Sequence, residues 1–200
     1  MGSIANQSAE TALTLRPAVP ADAQALSRLA RAAKAQWGYD AGFMEAARSE
    51  LTVTPDMIEQ DVVRVAERGG RTVGFYVLSS FESDPPMADG SVDVLDLDMV
   101  FVAPEAMGQG VGKALMAHAA AKAVTLGAGA LAVVADPFAE PFYRHLHFMP
   151  ADRVASGSIP GRSLQRLLLT LDPAGPGREG PRRPAAGGLA PPDPIAGRLP

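Results

Sequence analysis

The sequence predicts an α/β fold in which helices flank a mixed, mostly antiparallel sheet of about seven strands. Three observations lead to this class. Segments rich in β-forming residues alternate along the chain with segments whose apolar residues recur at helical spacing. Glycine, proline and polar residues separate these segments at short intervals. A chain of 200 residues also forms one core more readily than two.

The first elements follow from apolar spacing and from helix-start signals. Residues 13–16 (LTLR) predict a short strand, and residues 22–34 predict a helix with one apolar face. A second helix is expected over 41–50. Thr54 and Pro55 then predict the start of a short helix, because threonine caps free amide groups and proline suits the first helical position.

The later elements include the centre of the sheet. Residues 62–66 and 72–78 are rich in β-formers and flank a turn containing Gly69 and Gly70, which predicts a hairpin. Five more segments follow: an alternating strand, an alanine-rich helix, an apolar strand, a short helix and a final strand, over 93–102, 110–126, 130–134, 139–146 and 163–171.

Composition divides the chain into three parts. Residues 12–172 are predicted to form one folded domain, preceded by a flexible N-terminus over 1–11. Residues 173–200 contain eight prolines and six glycines and almost no large side chain, which predicts a disordered tail.

Charge and composition exclude several classes of partner. The formal net charge is -4 and no basic stripe is interleaved with aromatic residues, so we expect no nucleic-acid partner. No apolar run reaches the roughly 18 residues of a membrane helix, and the first residues lack a secretory signal, so a cytoplasmic protein without a membrane partner is expected. The chain has no cysteine, and its histidines lack metal-like spacing, so we predict no metal site.

A glycine-rich turn joins the strand over 93–102 to the helix over 110–126. Residues 107–113 read Met-Gly-Gln-Gly-Val-Gly-Lys. Amide groups at the start of a helix lack internal partners and the helix dipole adds partial positive charge, so such a turn favours a phosphate. Glycine matters there because a Cβ would hold the oxygens of the ligand away from the backbone.

Two common phosphate-binding motifs do not fit this turn. A dinucleotide fingerprint needs glycine where Lys113 stands, and a nucleotide P-loop needs serine or threonine where Ala114 stands. The turn instead resembles the pyrophosphate loop of the GNAT superfamily of acetyl-CoA-dependent N-acetyltransferases, whose signature is Arg or Gln, two residues, Gly, one residue, then Gly or Ala. Gly110 and Gly112 match its glycines, whereas Met107 departs from its first position.

A second segment carries the same resemblance. The family has a cofactor segment with Asn, Ala and Tyr at relative positions one, four and eight, where this chain has Asp136, Ala139 and Tyr143. Residues 102–104 also match the strand-ending Val-x-Pro of the family. His147 stands where the family commonly has glycine.

The resemblance implies a GNAT-like acyl-CoA N-acyltransferase fold with acetyl-CoA as cosubstrate. It places the pantetheine arm between the strands over 93–102 and 130–134, which splay apart in the family. The residues it implies as cofactor contacts are Val100, Phe101, Val102, Gly108, Gln109, Gly110, Val111, Gly112, Lys113 and Asp136.

The resemblance also implies the catalytic groups. Tyr143 is expected to hydrogen-bond to the departing thiolate of CoA, because full proton transfer from a phenol of pKa about 10 to a thiolate near 8.5 is uphill. Asp98 lies where related enzymes often carry a glutamate, and we expect it to act through water, since its ordinary pKa of about 3.9 is too low for direct abstraction. The structural alternatives are core packing for Tyr143 and a solvated strand edge for Asp93, Asp96 and Asp98.

These observations predict an N-acetyltransferase that moves the acetyl group of acetyl-CoA to a primary amine of a small molecule by direct attack in a ternary complex. Trp37 and Tyr39 are expected to wall the acceptor pocket, although Trp37 fits a structural role equally well. Arg162 is a candidate contact for an acidic acceptor, or part of a simple turn. The alternatives are a protein N-terminal or lysine acetyltransferase and a non-catalytic acetyl-CoA-binding sensor. The acceptor and the oligomeric state, including a homodimer, stay open.

Overall fold

The computed structural model of the chain describes residues 12–79 and 93–172. The predicted flexible N-terminus over 1–11 and disordered tail over 173–200 lie outside the described residues. Within these ranges the chain forms a seven-stranded sheet flanked by helices, which confirms the fold class. None of the helices in the described ranges is long and apolar enough to cross a membrane.

The sheet is mixed and mostly antiparallel, as predicted. Its strands lie in the order β1-β2-β3-β4-β5-β7-β6, and only β4 and β5 pair in parallel. The strands are β1 (Leu13–Pro17), β2 (Val62–Arg68), β3 (Arg71–Leu78), β4 (Val94–Val102), β5 (Ala130–Ala135), β6 (Met149–Ala155) and β7 (Ser163–Thr170).

The described ranges contain α-helices that agree with the predicted segments except in one place. They are α1 (Ala23–Ala35), α2 (Ala41–Ala46), α3 (Pro55–Gln60), α4 (Val111–Thr125) and α5 (Glu140–His145). Thr54 caps α3, where its hydroxyl accepts a hydrogen bond from the Met57 amide at 3.1 Å. The helix predicted over 41–50 is wrong in its second half, because α2 ends early and a 3-10 turn follows, which brings Leu51 into the core.

Helix α4 lies very close to the sheet at Gly74. A Cβ added to Gly74 would lie 2.9 Å from both the Phe101 carbonyl oxygen and Cδ1 of Leu115. Glycine on β3 therefore allows the first turns of α4 to approach the sheet. This contact fixes the glycine-rich turn, which immediately precedes α4, relative to the strands.

Strands β4 and β5 diverge soon after they meet. Their paired positions are Val94 with Ala130, Leu95 with Leu131 and Asp96 with Ala132. Beyond these pairs β4 continues to Val102 and β5 to Ala135. The sheet therefore opens between the C-terminal halves of the two strands, which agrees with the splayed strands that the resemblance implied.

Candidate active site

A cleft of about 530 Å³ occupies the opening between β4 and β5. Its lining comes from the glycine-rich turn, both diverging strands, α5, the end of α1 with the loop that follows, and the turn before β7. Residues predicted for cofactor binding, catalysis and acceptor binding are thus brought to a single cleft.

The glycine-rich turn presents free amide groups. In the described part of the chain the backbone amides of residues 108–113 donate no hydrogen bond, whereas the amides of Met107 and Ala114 on either side do. Gly108 and Gly110 have φ angles of 74° and 80°, and a Cβ on either would meet no protein atom within 4 Å. The turn is therefore an unshielded row of donors at the start of a helix, which fits the diphosphate of coenzyme A.

Only some residues of this turn line the cleft. Gln109 and Val111 do not line the cleft, so their predicted contact with the cofactor depends on their backbone amides and stays a prediction. The Gln109 side chain accepts a hydrogen bond from Arg68 at 2.7 Å, and Val111 is 1% exposed in the core. Gly112 lines the cleft, but a Cβ there would lie 3.2 Å from the Phe142 ring, so this glycine also permits close packing against α5.

The backbone of β4 alternates between β3 and the cleft. The amide of Ala103 donates to the Val73 carbonyl at 2.9 Å, which makes this a hydrogen-bonded antiparallel pair. Because such pairs alternate along a ladder, the backbone of Phe101 also faces β3, while those of Val100 and Val102 face the opening. Phe101 still lines the cleft, so its predicted contact with the cofactor stays a prediction that involves atoms other than its backbone N–H and C=O.

Tyr143 lies on α5 and lines the cleft while being 6% exposed. Its ring packs edge-on against Phe142 and Phe148, with ring centroids 5.3 Å and 5.5 Å away. Its hydroxyl makes no hydrogen bond to any described residue. Burial, with the negative charge of Asp136 as a second cause, raises the pKa of the Tyr143 phenol above its usual range. The phenol is therefore a protonated donor in the cleft.

The end of α5 holds Tyr143 in place through an unusual residue. His147 has a φ angle of 67°, the left-handed conformation that follows many helices. The His147 amide donates to the Arg144 carbonyl at 3.0 Å, and the Phe148 amide donates to the Tyr143 carbonyl at 3.1 Å. These two bonds form a Schellman motif. The turn is thus kept although histidine replaces the glycine that is common in the family.

Asp98 lines the cleft from β4. It shares one exposed face of the strand with Asp96, and Leu97 between them is buried, as strand alternation predicts. Desolvation of the carboxylate by the surrounding protein raises the pKa of Asp98, and the charges of Asp96 and Asp61 act in the same direction. A hydrogen bond with Ser79 opposes this shift. Asp98 is therefore a better proton acceptor than an ordinary aspartate.

Asp136 follows β5 and forms the centre of a polar cluster. Its carboxylate accepts hydrogen bonds from Lys34 at 2.5 Å, the Tyr39 hydroxyl at 2.8 Å, the Phe138 amide at 2.9 Å and Arg162 at 3.3 Å. Burial acts to raise the pKa of Asp136, but the hydrogen bonds from Lys34, the Phe138 amide and Tyr39, Lys34 first, hold this pKa below its usual range. The carboxylate thus organises neighbouring side chains, while its predicted contact with the cofactor stays a prediction for a residue that lines the cleft.

Aromatic rings surround this cluster. Trp37 stacks on Phe138 with ring centroids 5.4 Å apart, and it lines the cleft while being 38% exposed. Tyr39 stacks on Phe43 at 3.8 Å, and its hydroxyl accepts from Arg162 at 3.0 Å. The three predicted acceptor residues, Trp37, Tyr39 and Arg162, therefore lie in one neighbourhood.

Three members of this neighbourhood, Lys34, Phe43 and Phe138, were not predicted from the sequence. Lys34 is one turn before Trp37 at the end of α1, and this spacing is the only local signal that links it to the predicted pocket. Across the described residues no group of three or more His, Cys, Asp or Glu side chains could hold a metal ion.

The fold is shared with solved N-acetyltransferase structures. The GCN5-related N-acetyltransferase from Rhodopseudomonas palustris aligns with a TM-score of 0.63 and 23% identity over 80% of this chain and 97% of that one. The PaiA N-acetyltransferase from Thermoplasma acidophilum in complex with coenzyme A aligns at 0.62 and 16%, over 80% and 99%. YncA from Salmonella typhimurium with its cofactor acetyl-CoA aligns at 0.54 and 21%, over 81% and 95%. At these identities the likeness shows the fold.

The sequence gives a second and independent match. Residues 59–150 match the family model of the acetyltransferase (GNAT) domain, while no curated protein matches the chain. The matched residues include the glycine-rich turn, both diverging strands and Tyr143, which form much of the cleft. The resemblance predicted from two motifs is thereby confirmed for this part of the chain: residues 59–150 are similar to the acetyltransferase (GNAT) domain.

Proposed function

We propose that this GNAT acetyltransferase moves the acetyl group of acetyl-CoA to a primary amine of a small molecule, by direct attack of the amine in a ternary complex. The observation that carries the proposal is the row of unpaired amides at residues 108–113, which shares one cleft with Tyr143 and Asp98. Acetyl-CoA supplies an acetyl group activated as a thioester.

The glycine-rich turn and β4 would hold this donor. Amides of residues 108–113 donate to its diphosphate, and Lys113, which lines the cleft, adds a positive charge. The backbones of Val100 and Val102 face the opening beside β4 and pair with the amide groups of the pantetheine arm, as an added strand would.

Asp98 acts as the base that removes a proton from the acceptor amine. An alkylammonium with a pKa of about 10.4 is almost fully protonated at neutral pH, so the nitrogen must lose a proton before it attacks. Asp98 accepts this proton through water, and its raised pKa reduces the mismatch with the ammonium.

Tyr143 acts on the leaving group. As the new N–C bond forms and the C–S bond breaks, the phenol donates a hydrogen bond to the sulfur, which carries the developing negative charge. The raised pKa of Tyr143 favours this hydrogen bond over full proton transfer. The acetylated nitrogen loses its second proton, and the sulfur gains one to leave as the thiol of CoA.

The test is Tyr143→Phe, which keeps the ring that packs on Phe142 and Phe148. Removal of a donor to the developing charge is expected to lower kcat by about 10²-fold, while acetyl-CoA still raises the melting temperature. Thiol release is measured over a panel of amines, amino acids, aminoglycosides and peptides. Tyr76→Phe is the matched control, since Tyr76 is also buried, but it lies on β3, bonds to His118 and does not line the cleft.

Each other outcome contradicts part of the proposal. If the wild-type chain binds acetyl-CoA but releases no thiol with any amine, the chain is a sensor. If peptide amino termini or lysines are much better acceptors than every small amine, the small-molecule acceptor is wrong. If both Tyr→Phe variants behave alike, Tyr143 does not act on the leaving group.

A further inference from the structure

The polar cluster around Asp136 carries an excess of positive charge. Lys34 and Arg162 both contact this one carboxylate, and the three side chains are only 15%, 20% and 12% exposed. A cation that is shielded from water is costly unless an anion compensates it. Two cations with one carboxylate therefore leave one positive charge to be compensated at this point of the cleft.

Arg162 also has unused hydrogen-bond donors. Of its side-chain nitrogens, Nη2 contacts the Tyr39 hydroxyl at 3.0 Å and Asp136 at 3.3 Å. Nε and Nη1 donate to no residue within the described ranges, and Arg162 lines the cleft. A planar guanidinium with free N–H groups is the side chain best matched to a carboxylate.

Aromatic contacts hold the two cations in place. Cζ of Arg162 is 4.9 Å from the centre of the Phe43 ring, and Nζ of Lys34 is 5.2 Å from that of Tyr39. These rings stack on each other and favour cations over their faces. The donors are thus positioned before an anion arrives, which reduces the entropy lost on binding.

We propose that the acceptor carries a carboxylate in addition to its amine, and that Arg162 and Lys34 bind this carboxylate. The substrate class is an amino acid. The inference rests on the proposed acetyl transfer, since it names the acceptor of that same cleft. The cleft also has Asp98 and Glu50 in its lining, so both charges of a zwitterion meet groups of opposite sign there.

The experiment compares the common L-amino acids, each with its own carboxamide, in the thiol-release assay. The members of a pair share the amine and side chain and differ in the carboxylate alone. We expect the best acceptor to be an acid whose kcat/KM exceeds that of its amide by roughly 10- to 100-fold, mainly through KM. Arg162→Gln should bring this ratio close to one, and Arg162→Lys should restore part of it.

Arg153→Gln is the matched control. Arg153 lies on β6, bonds to Ser163 and does not line the cleft, so its variant should keep the wild-type ratio. If amides or simple amines have a kcat/KM equal to or above that of the acids, the inference is overturned, while acetyl transfer is left intact. A ratio that survives Arg162→Gln would overturn it as well.

A binding measurement tests the proposed carboxylate site without turnover. With CoA present, N-acetyl amino acids should raise the melting temperature of the wild-type chain more than the corresponding N-acetyl amides, and Arg162→Gln should remove the difference. Absence of any difference would overturn the carboxylate site, whereas absence of thiol release alone counts against the proposed function.

Discussion

His147 shows how a single side chain can be tolerated where the backbone favours glycine. Its φ angle of 67° costs a residue with a Cβ about 1–2 kcal/mol relative to ordinary helical angles. The Schellman hydrogen bonds and the contact between the Tyr143 and Phe148 rings offset this cost. The strain lies four residues from Tyr143 and is therefore stored beside the residue that we propose acts on the leaving group.

Replacing His147 with glycine is expected to stabilise the chain by about 0.5–1 kcal/mol, because the relief of strain exceeds the added freedom of the unfolded chain. Urea unfolding of His147→Gly measures this gain. His147→Ala keeps a Cβ at the same angle and should show no gain, so equal stability of the two variants would contradict the explanation.

The role that we propose for Asp98 as the base predicts that the reaction depends on pH. The base works only when it is deprotonated, so kcat/KM falls as the pH falls through the pKa of Asp98. Because burial raises this pKa, the fall should begin at a higher pH than an ordinary aspartate would give. Asp98→Asn should remove this acidic limb and lower kcat by about 10²-fold, as measured by a pH profile of thiol release.

Asp96 supplies the control for this pH profile. It lies on the same face of β4, contacts Arg166 at 3.3 Å and is absent from the lining of the main cleft. Its negative charge helps to raise the pKa of Asp98, so Asp96→Asn should keep the limb and move it slightly towards lower pH. Loss of the limb in this variant would mean that Asp98 is not the titrating base.

The residues of the cleft differ in how far the sequence reveals them. Tyr143 and the glycines are local features of two motifs, so spacing along the chain was enough to predict them. Lys34 meets Asp136 across 102 residues of sequence, and the position of α1 against β5 exists only in the folded chain. The occupied carboxylate of Asp136 was therefore invisible to motif matching.

The two ends of α4 both have glycine in the left-handed conformation, and only one end forms part of the cleft. Gly110 precedes the helix with a φ angle of 80°, and Gly127 follows it with 92°. A Cβ on either would meet no protein atom within 4 Å. The backbone cost of a side chain is therefore similar at the two ends, while its effect on a bound diphosphate differs.

Gly110→Ala and Gly127→Ala should each destabilise the chain by about 1–2 kcal/mol. Gly110→Ala should also weaken acetyl-CoA binding by roughly 10- to 100-fold, because its Cβ displaces the diphosphate from the amides. Isothermal titration with acetyl-CoA measures the difference between the variants. Equal affinities would show that the turn does not bind the diphosphate.

Most elements have apolar residues that pack in or against the core, and this pattern made them predictable. Five strands have apolar residues in the core, Leu13 and Leu15 of β1 pack against it, and all six strands were predicted from the sequence. The edge strand β6 is exposed along nearly all of its length, so it has no alternating pattern to detect. The break after α2 was missed because the apolar spacing continues through Leu51, which enters the core from a 3-10 turn.

Acetyl-CoA is expected to stabilise the whole molecule. At about 100 times its dissociation constant it should add about 2.7 kcal/mol to the free energy of unfolding, which raises the melting temperature of a chain this size by about 5–10 °C. Differential scanning fluorimetry measures the shift. S-acetylpantetheine lacks the diphosphate and should give a much smaller shift, so equal shifts would contradict the role of residues 108–113.

The short contact between β4 and β5 divides the sheet into two panels, β1 to β4 on one side and β5, β7 and β6 on the other. Within each panel neighbouring strands pair over most of their length, but only three residue pairs cross the seam. A pantetheine arm that pairs with the inner edge of one panel would lie between the two panels and connect them. Binding in the cleft and the stability of the domain are then coupled. Substitutions that weaken the contact between β4 and β5, even far from the cleft, are expected to lower the affinity for acetyl-CoA.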